Sequence, residues 1–416
     1  MRLARSPAER TRPLLVHLAT VDMSLELLLG PQLRSFVDEG YDVIGVSAVG
    51  PYVPGLQADG IGHVGLDHAT RSFSIRSDIK ALIELVKLFR RLRPDIVHTH
   101  NPKPGVYGRV AAKVARIPVV VNTVHGLYAQ PTDRFVKRAL VYGLERLAST
   151  CSQAELVQNP EDLSTLRRLR VPESKLRLLG NGVDLSRFQP QLVSNADREA
   201  TRREMGATDA DDVIIGFVGR MVNEKGIPEL IDAAANVMVA HPKARFALIG
   251  PHDGTRSDDV PEAVLEHARS VGIKILGHRD DVVAYYAAMD VFVLPSHREG
   301  FPRSVMEAAA MGVPVVATDI RGCREAVTAE SGILVPIRNV PELTAALCGL
   351  VSDPARRSSL SSGATRLARD QFDVRRQVEI SLDVYARGLR RAGKPSAGSR
   401  QLCRGEDRKI NEREKS

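Results

Sequence analysis

The chain has 416 residues, 43% of them hydrophobic, 26% charged and 4% aromatic, which is enough apolar material for two cores and too much chain for one domain. Its apolar runs last only a few residues, far short of the roughly 20 that a membrane-spanning helix needs. The basic start is followed by an apolar stretch that His17 breaks at once, so no secretory signal is read and a cytoplasmic location is expected. Cys151, Cys323, Cys348 and Cys403 are far apart, with no CxxC pair and no histidine at ligand spacing; they read as free thiols rather than a disulfide or zinc framework.

The net charge of +8 is unevenly spread. Residues 1–190 carry 26 basic and 18 acidic side chains, and residues 386–416 carry 10 and 4, so residues 191–385 must be near −6. The front half and the tail are basic and the middle of the second half is acidic.

From Leu14 onward, short β-branched runs alternate with helical patterns, which predicts an α/β class with parallel sheets covered by helices. Strands are expected at 14–19, 42–47, 95–98 and 119–123, with a helix at 78–92 among the elements between them. Residues 184–212 are poor in aliphatic side chains and read as a connector. A second series follows at 213–218, 245–249, 274–276, 291–294 and 315–317. Two Rossmann-like domains in tandem are the simplest architecture. The expected division is a disordered basic start at 1–12, a first domain at 13–190 completed by a returning helix at about 372–390, a linker at 191–211, a second domain at 212–371 and a disordered basic tail at 391–416.

The densest chemistry lies from Ser296 to Glu307, where a strand runs into a polar loop and a helix starts near Arg303. In a doubly wound sheet that is the carboxyl edge, where a helix N-terminus presents free N–H groups to an anion. Glu299 and Glu307 flank that point. An ordinary helix with acidic residues near its start would explain both without a ligand, but they have company: Gly219-Arg220 and Glu224-Lys225-Gly226 follow the first strand of the same domain. Arg220 and Lys225 would project two fixed cations from the same edge, as a pyrophosphate requires. In the first domain, 95–109 is a strand, a Pro/Gly-shaped turn and a helix that place His100, Asn101, Lys103 and Arg109 around another strand end; His125 follows the next strand.

Taken in order, Asn181-Gly182-Val183-Asp184, Gly219-Arg220 with Glu224-Lys225-Gly226, Leu276-Gly277-His278-Arg279-Asp280-Asp281, the E-x7-E spacing of Glu299 and Glu307, and Gly312 to Thr318 resemble the retaining GT-B glycosyltransferases of family 4. The resemblance runs from about residue 14 to 390. It departs from the family's usual Gly-Gly pair after Thr318, where Arg321-Gly322-Cys323 stands instead. The His100 and His125 segments, the Thr318 to Glu325 loop and the Thr20 to Ser24 turn resemble the subgroup that extends polyprenyl-diphosphate-linked sugars.

The resemblance implies two Rossmann-like domains facing each other across a cleft, with a C-terminal helix crossing back to the first. It also implies transfer of a hexose or N-acetylhexosamine from a nucleotide sugar, with uracil as the base. Arg220 and Lys225 would hold the diphosphate, Glu307 the ribose, Glu299 the donor sugar, Leu276 and Gly277 the base; Gly300, Phe301, Pro302 and Ser304 would complete the donor site. His125 would lie against the donor sugar and departing phosphate. His100, Asn101, Lys103 and Arg109 would meet the acceptor. No cofactor and no metal are expected, because no DxD-type pair stands at a strand end and the departing phosphate can itself take the acceptor's proton. Two basic amphipathic stretches, 79–93 and more weakly 134–147, suit an anionic membrane surface carrying the acceptor. A nucleotide-sugar 2-epimerase of the same fold is the nearest alternative. A basic nucleic-acid binder is the more distant one: no helix-turn-helix, aromatic RNP strand or zinc module accompanies the charge, so no nucleic acid is expected.

Overall fold

A computed structural model describes residues 10–68, 75–100, 103–129, 133–254 and 258–397. The expected disorder of the first dozen residues and of the tail falls largely outside them. The chain divides into two compact units, one running to Leu179 and resuming at Arg375, the other spanning Gly180–Val374.

The first unit is a seven-stranded parallel sheet: β1 (Leu14–Val21), β2 (Asp42–Ala48), β3 (Gly62–Gly65), β4 (Ile96–His100), β5 (Val119–Val124), β6 (Ala154–Val157) and β7 (Leu176–Leu178), in the order 3-2-1-4-5-6-7. The second is a six-stranded parallel sheet: β8 (Val213–Val218), β9 (Ala244–Ile249), β10 (Lys274–Gly277), β11 (Val291–Leu294), β12 (Val315–Thr318) and β13 (Gly332–Val335), in the order 10-9-8-11-12-13. Both are doubly wound. The strand order reverses between β1 and β4 in one and between β8 and β11 in the other, and at such points the loops at the carboxyl edge part to leave a crevice. The strands expected from sequence are all present within a few residues, whereas β3, β6, β7 and β13 were not anticipated. They are three or four residues long, too short to carry a period of their own.

Alternation along β1, β4 and β5 divides the first unit's sheet into two faces. Leu15, Ile96, Val119 and Val121 face a helix at Val374–Arg391, whose Val378, Tyr385 and Leu389 join their cluster. Leu14, Val16, Leu18, Val97 and Val120 face the helices Ile75–Leu92 and Lys103–Val114. The amphipathic helix Val374–Arg391 therefore belongs to the first unit although the chain reaches it last.

The stretch read as a linker differs from expectation. Its centre is the helix Asn195–Glu204, capped by Ser194, whose side chain accepts from the Asp197 amide. Thr201 and Met205 are buried, and Arg202 donates to the Ala288 carbonyl and to Asp290 at 2.9 Å each. One narrow buried stripe holds this helix to the second unit, so a composition poor in aliphatic residues was misleading there. The division between units falls at residue 180 rather than 190.

Candidate functional site

The second unit's crevice is built where β8 and β11 end. After β8, Gly219 and Arg220 lead into a short turn at Asn223–Lys225 and then the helix Ile227–Ala240. Gly226 makes the join in the left-handed region at φ 69°, where a Cβ would stand 2.1 Å from the Pro295 carbonyl oxygen. Only glycine lets the two loops approach so closely. That approach sets Lys225 Nζ 2.5 Å from Glu299 Oε1, which also accepts from Ser296 Oγ at 2.7 Å. Thr318 Oγ1, at the end of β12, donates to the Ser296 carbonyl at 2.5 Å. The cation assigned to phosphate and the carboxylate assigned to sugar are thus an ion pair, both largely shielded from solvent.

The loop that departs from the Gly-Gly pattern has a steric explanation. Gly322 has φ 86°, and a Cβ there would come within 2.5 Å of the Gly300 carbonyl oxygen. One glycine at the contact point does what the loop needs, and Glu325 caps the turn by accepting from the Gly322 amide at 2.8 Å. Cys323 is buried beside it, and burial pushes its thiol far up, so it is inert in ordinary conditions.

Glu307 is the fifth residue of its helix, Arg303–Ala310, just past the first turn. Its Oε2 accepts from Tyr286 OH at 2.9 Å, and its Oε1 is 3.6 Å from Arg303. Tyr286 is fully buried, and burial together with the Glu307 carboxylate pushes its phenol well up, so it stays a proton donor. Sequence reading missed Tyr286, because its importance comes from a neighbour 21 residues away. Gly300 and Ser304 lie at the mouth of this helix, where the first amides of a helix have no intrahelical acceptor. Pro302 is buried at the N-cap, and Phe301 turns inward, its ring 6.0 Å from Phe372 and its carbonyl accepting from Asn181 at 3.0 Å. Phe301 and Pro302 therefore shape the loop rather than offer side chains to a ligand. Leu276 and Gly277 end β10 at the same carboxyl edge, half-buried, and Arg220 is exposed there.

In the first unit, β1, β4 and β5 place four imidazoles together. His17 and His98 are register partners on β1 and β4, and His98 and His100 share one face of β4. His98 Nε2 meets Thr123 Oγ1 at 2.7 Å and its Nδ1 meets Tyr385 OH at 2.5 Å; Tyr385 OH lies 3.5 Å from His17 Nε2. His17 Nδ1 is 3.0 Å from His100 Nε2, and His100 Nδ1 is 2.8 Å from His125 Nε2. With one proton per ring and per hydroxyl, every contact in this chain can be made in either direction without charging any member. Burial, reinforced by neighbouring imidazoles, holds His17, His98 and His100 well below the usual histidine range. Burial also brings His125 down to about 4, against a hydrogen bond with Gln158. His125 is the member that reaches the surface. His17, His98 and His100 present ring nitrogens within 4.8 Å of one another, a donor set that a metal ion could use, but these nitrogens are already engaged in the chain.

The residues expected to meet the acceptor fare differently. Asn101 lies outside the described residues. His100 is buried in the imidazole chain. Lys103 opens the helix Lys103–Val114 but is buried, its Nζ 2.6 Å from Asp78. Arg109 is corrected outright: it is fully buried, donating to Glu155 at 2.8 Å and Glu145 at 2.7 Å. Burial opposes its charge, but Glu155 and Glu145 outweigh that and raise its pKa. A turn of helix carries it inward, and it cannot greet an acceptor from there.

Two doubly wound parallel units, the second with a cation–carboxylate pair and a helix N-terminus at its switch point, define a glycosyltransferase of the GT-B class. Residues 31–187 match the family described as Glycosyltransferase Family 4 and residues 212–353 that described as Glycosyl transferases group 1, and the chain belongs to this family. It is 29% identical over 323 residues, covering 76% of this chain and 81% of the relative, to the Escherichia coli UDP-Gal:alpha-D-GlcNAc-diphosphoundecaprenol alpha-1,3-galactosyltransferase. It is 30% identical over 309 residues, 71% of this chain and 73% of the relative, to D-inositol 3-phosphate glycosyltransferase of Xylanimonas cellulosilytica. Among solved structures, Anabaena HepE in complex with UDP-glucose matches with a TM-score of 0.74 at 21% identity, over 89% of this chain and 99% of that one.

Two measurements check the site's construction. Tyr286→Phe removes the hydroxyl that orients Glu307, and the KM for the nucleotide sugar should rise about five- to tenfold, the worth of about 1 kcal/mol, with kcat nearly kept. An unchanged KM would show that Glu307 does not need this partner. The histidines have folded pKa values below their unfolded value of 6.5, so between that value and the folded ones the unfolded chain binds more protons. Stability is therefore complete above pH 6.5 and is lost as the pH falls; for His125 the loss continues to about 4, at up to about 1.4 kcal/mol per pH unit for each histidine. Urea unfolding followed across this range should show that slope.

Proposed function

We propose that the enzyme transfers a hexose or N-acetylhexosamine with retention from a UDP-sugar to a polyprenyl-diphosphate-linked sugar, in the assembly of a bacterial surface polysaccharide or glycan. The observation that carries the donor half is the Lys225–Glu299 pair at the β8/β11 switch point, with Glu307 held by Tyr286 one helical turn away. Lys225 and Arg220 suit the two charges of a diphosphate, Glu299 a sugar hydroxyl and Glu307 the ribose. The acceptor half is supported by the Escherichia coli relative, whose name specifies a diphosphoundecaprenol-linked substrate.

In this reading Lys225 leaves Glu299 for the diphosphate when the donor binds, and Ser296 keeps the carboxylate in place. As the bond between anomeric carbon and phosphate oxygen lengthens, negative charge gathers on the phosphate. Lys225, Arg220 and the amides at the start of the helix Arg303–Ala310 would then stabilise that charge. The departing phosphate oxygen takes the proton of the acceptor hydroxyl on the same face. The role that the family resemblance implies for His125 would be filled by a neutral ring rather than by a general base, since burial brings this histidine down to about 4.

The deciding experiment assays a nucleotide-sugar panel for release of the nucleoside diphosphate with a polyprenyl-diphosphate sugar and, separately, with D-inositol 3-phosphate. Transfer to the lipid-linked sugar alone supports the proposal. Transfer to inositol phosphate alone would move the enzyme to the acceptor class of its other relative, and donor epimerisation without acceptor would favour the 2-epimerase. Lys225→Ala should cut kcat/KM by roughly 30- to 1,000-fold, or about 2 to 4 kcal/mol, while the thermal midpoint moves little. Because protein cations serve the diphosphate, EDTA should leave most of the activity; complete loss restored by magnesium or manganese would defeat that part of the reading.

A further inference from the structure

We infer that the helix Phe135–Ala148 docks the first unit on an anionic bilayer; this names the partner surface for the lipid-linked acceptor proposed above and rests on that reading. Phe135, Val136, Leu140, Leu144 and Leu147 are 73%, 77%, 63%, 41% and 66% exposed. Positions 136, 140, 144 and 147 follow one another at four, four and three residues, so they form one stripe along the helix. This is not the side that faces the protein. The buried residues of this helix are Glu145 and Ala148, and Glu145 is gripped by Arg109 at 2.7 Å. A helix anchored by its one buried carboxylate and apolar on the other side is inverted relative to an ordinary surface helix.

The charges around it suit a negative surface. Arg134 at the start of the helix is exposed, Lys137 lies beside the stripe over the Tyr128 ring, and Arg146 is partly exposed near the end. The helix Ile75–Leu92 was the stronger candidate from sequence, but its Ala81, Leu85, Leu88, Phe89 and Leu92 are buried in the core. Its apolar stripe is spent on the fold, with Ile79 and Ile83 left outside, and its Lys80, Lys87, Arg90 and Arg91 form an exposed basic face. Both helices pack against Lys103–Val114, so they belong to one layer on the same side of the sheet. In that layer one helix supplies apolar side chains that can enter the headgroup boundary and the other supplies long-range attraction. Among the described residues no helix is long and apolar enough to cross a membrane, so attachment of this kind is interfacial.

The test is co-sedimentation of the purified full chain with vesicles of phosphatidylcholine, with and without phosphatidylglycerol. The wild-type protein should bind the anionic vesicles and weaken with salt. Combined Val136→Ser, Leu140→Ser, Leu144→Ser and Leu147→Ser should lower the partition coefficient roughly tenfold or more with an unchanged thermal midpoint. Lys87→Glu, Arg90→Glu and Arg91→Glu together should weaken binding less and make it more sensitive to salt. If the serine variant binds as the parent does, the helix is not the docking element. If it abolishes a dimer seen by light scattering and leaves vesicle binding intact, the stripe serves a second copy and the inference falls. Transfer to the lipid-linked sugar in detergent, where no bilayer is needed, tests the acceptor reading separately.

Discussion

The ion pair between Lys225 and Glu299 is the interaction on which the second unit's site depends. Its members are 74 residues apart in the chain and meet because β8 and β11 are neighbours whose following loops part at the switch point. Gly226 removes a side chain that would hold those loops apart, Gly322 does the same between the loops after β11 and β12, and Ser296 and Thr318 fix the carboxylate side. A pair shielded to this degree is screened less than one on the open surface, and Ser296 remains a donor to Glu299 when Lys225 is elsewhere. In the proposed reading, a diphosphate donor replaces one anion by another at Lys225.

The first unit buries an unusual amount of polarity, and the alternation of its strands sorts that polarity by face. On the side covered by Tyr385 lie His17, His98, His100 and Thr123, a chain that is satisfied while neutral. On the other side, Thr99 donates to Asn122 at 2.8 Å, Asn122 to Glu155 at 2.8 Å, and Arg109 bridges Glu155 and Glu145. Adjacent residues of β4 therefore serve opposite chemistries. Leaving such groups unpaired would cost about 1 to 3 kcal/mol each, which is why both networks are closed by partners from distant helices. The neutral chain ends at His125, where the unit reaches solvent. The charged one ends at Glu145 and sets which side of the helix Phe135–Ala148 turns outward. A single sheet thereby sets both where the His125 ring emerges and which side of the helix Phe135–Ala148 is exposed.

Much of this was legible in the sequence. Strand positions, two parallel units and the placing of Glu299, Glu307, Arg220 and Lys225 at the carboxyl edge of one sheet follow from local patterns: β-branched runs, strand-to-loop-to-helix junctions and charges placed where such junctions end. These features are local because the period of a strand or helix and the chemistry of its ends are written within about ten residues. The pairing of Lys225 with Glu299, the hold of Tyr286 on Glu307 and the link from Tyr385 to His98 join residues whose spacing obeys no period. The same is true of burial. Arg109 and Lys103 read as cations around a strand end, and the basic amphipathic stretch 79–93 read as the better suited of two to a membrane surface. Composition and periodicity determine that a helix has an apolar and a basic side, and the sequence by itself determined that much for both helices. Which side faces the core was decided by the tertiary structure alone, because it depends on partners such as Glu145 and Glu155 that the chain brings to Arg109 only when the sheet closes around them.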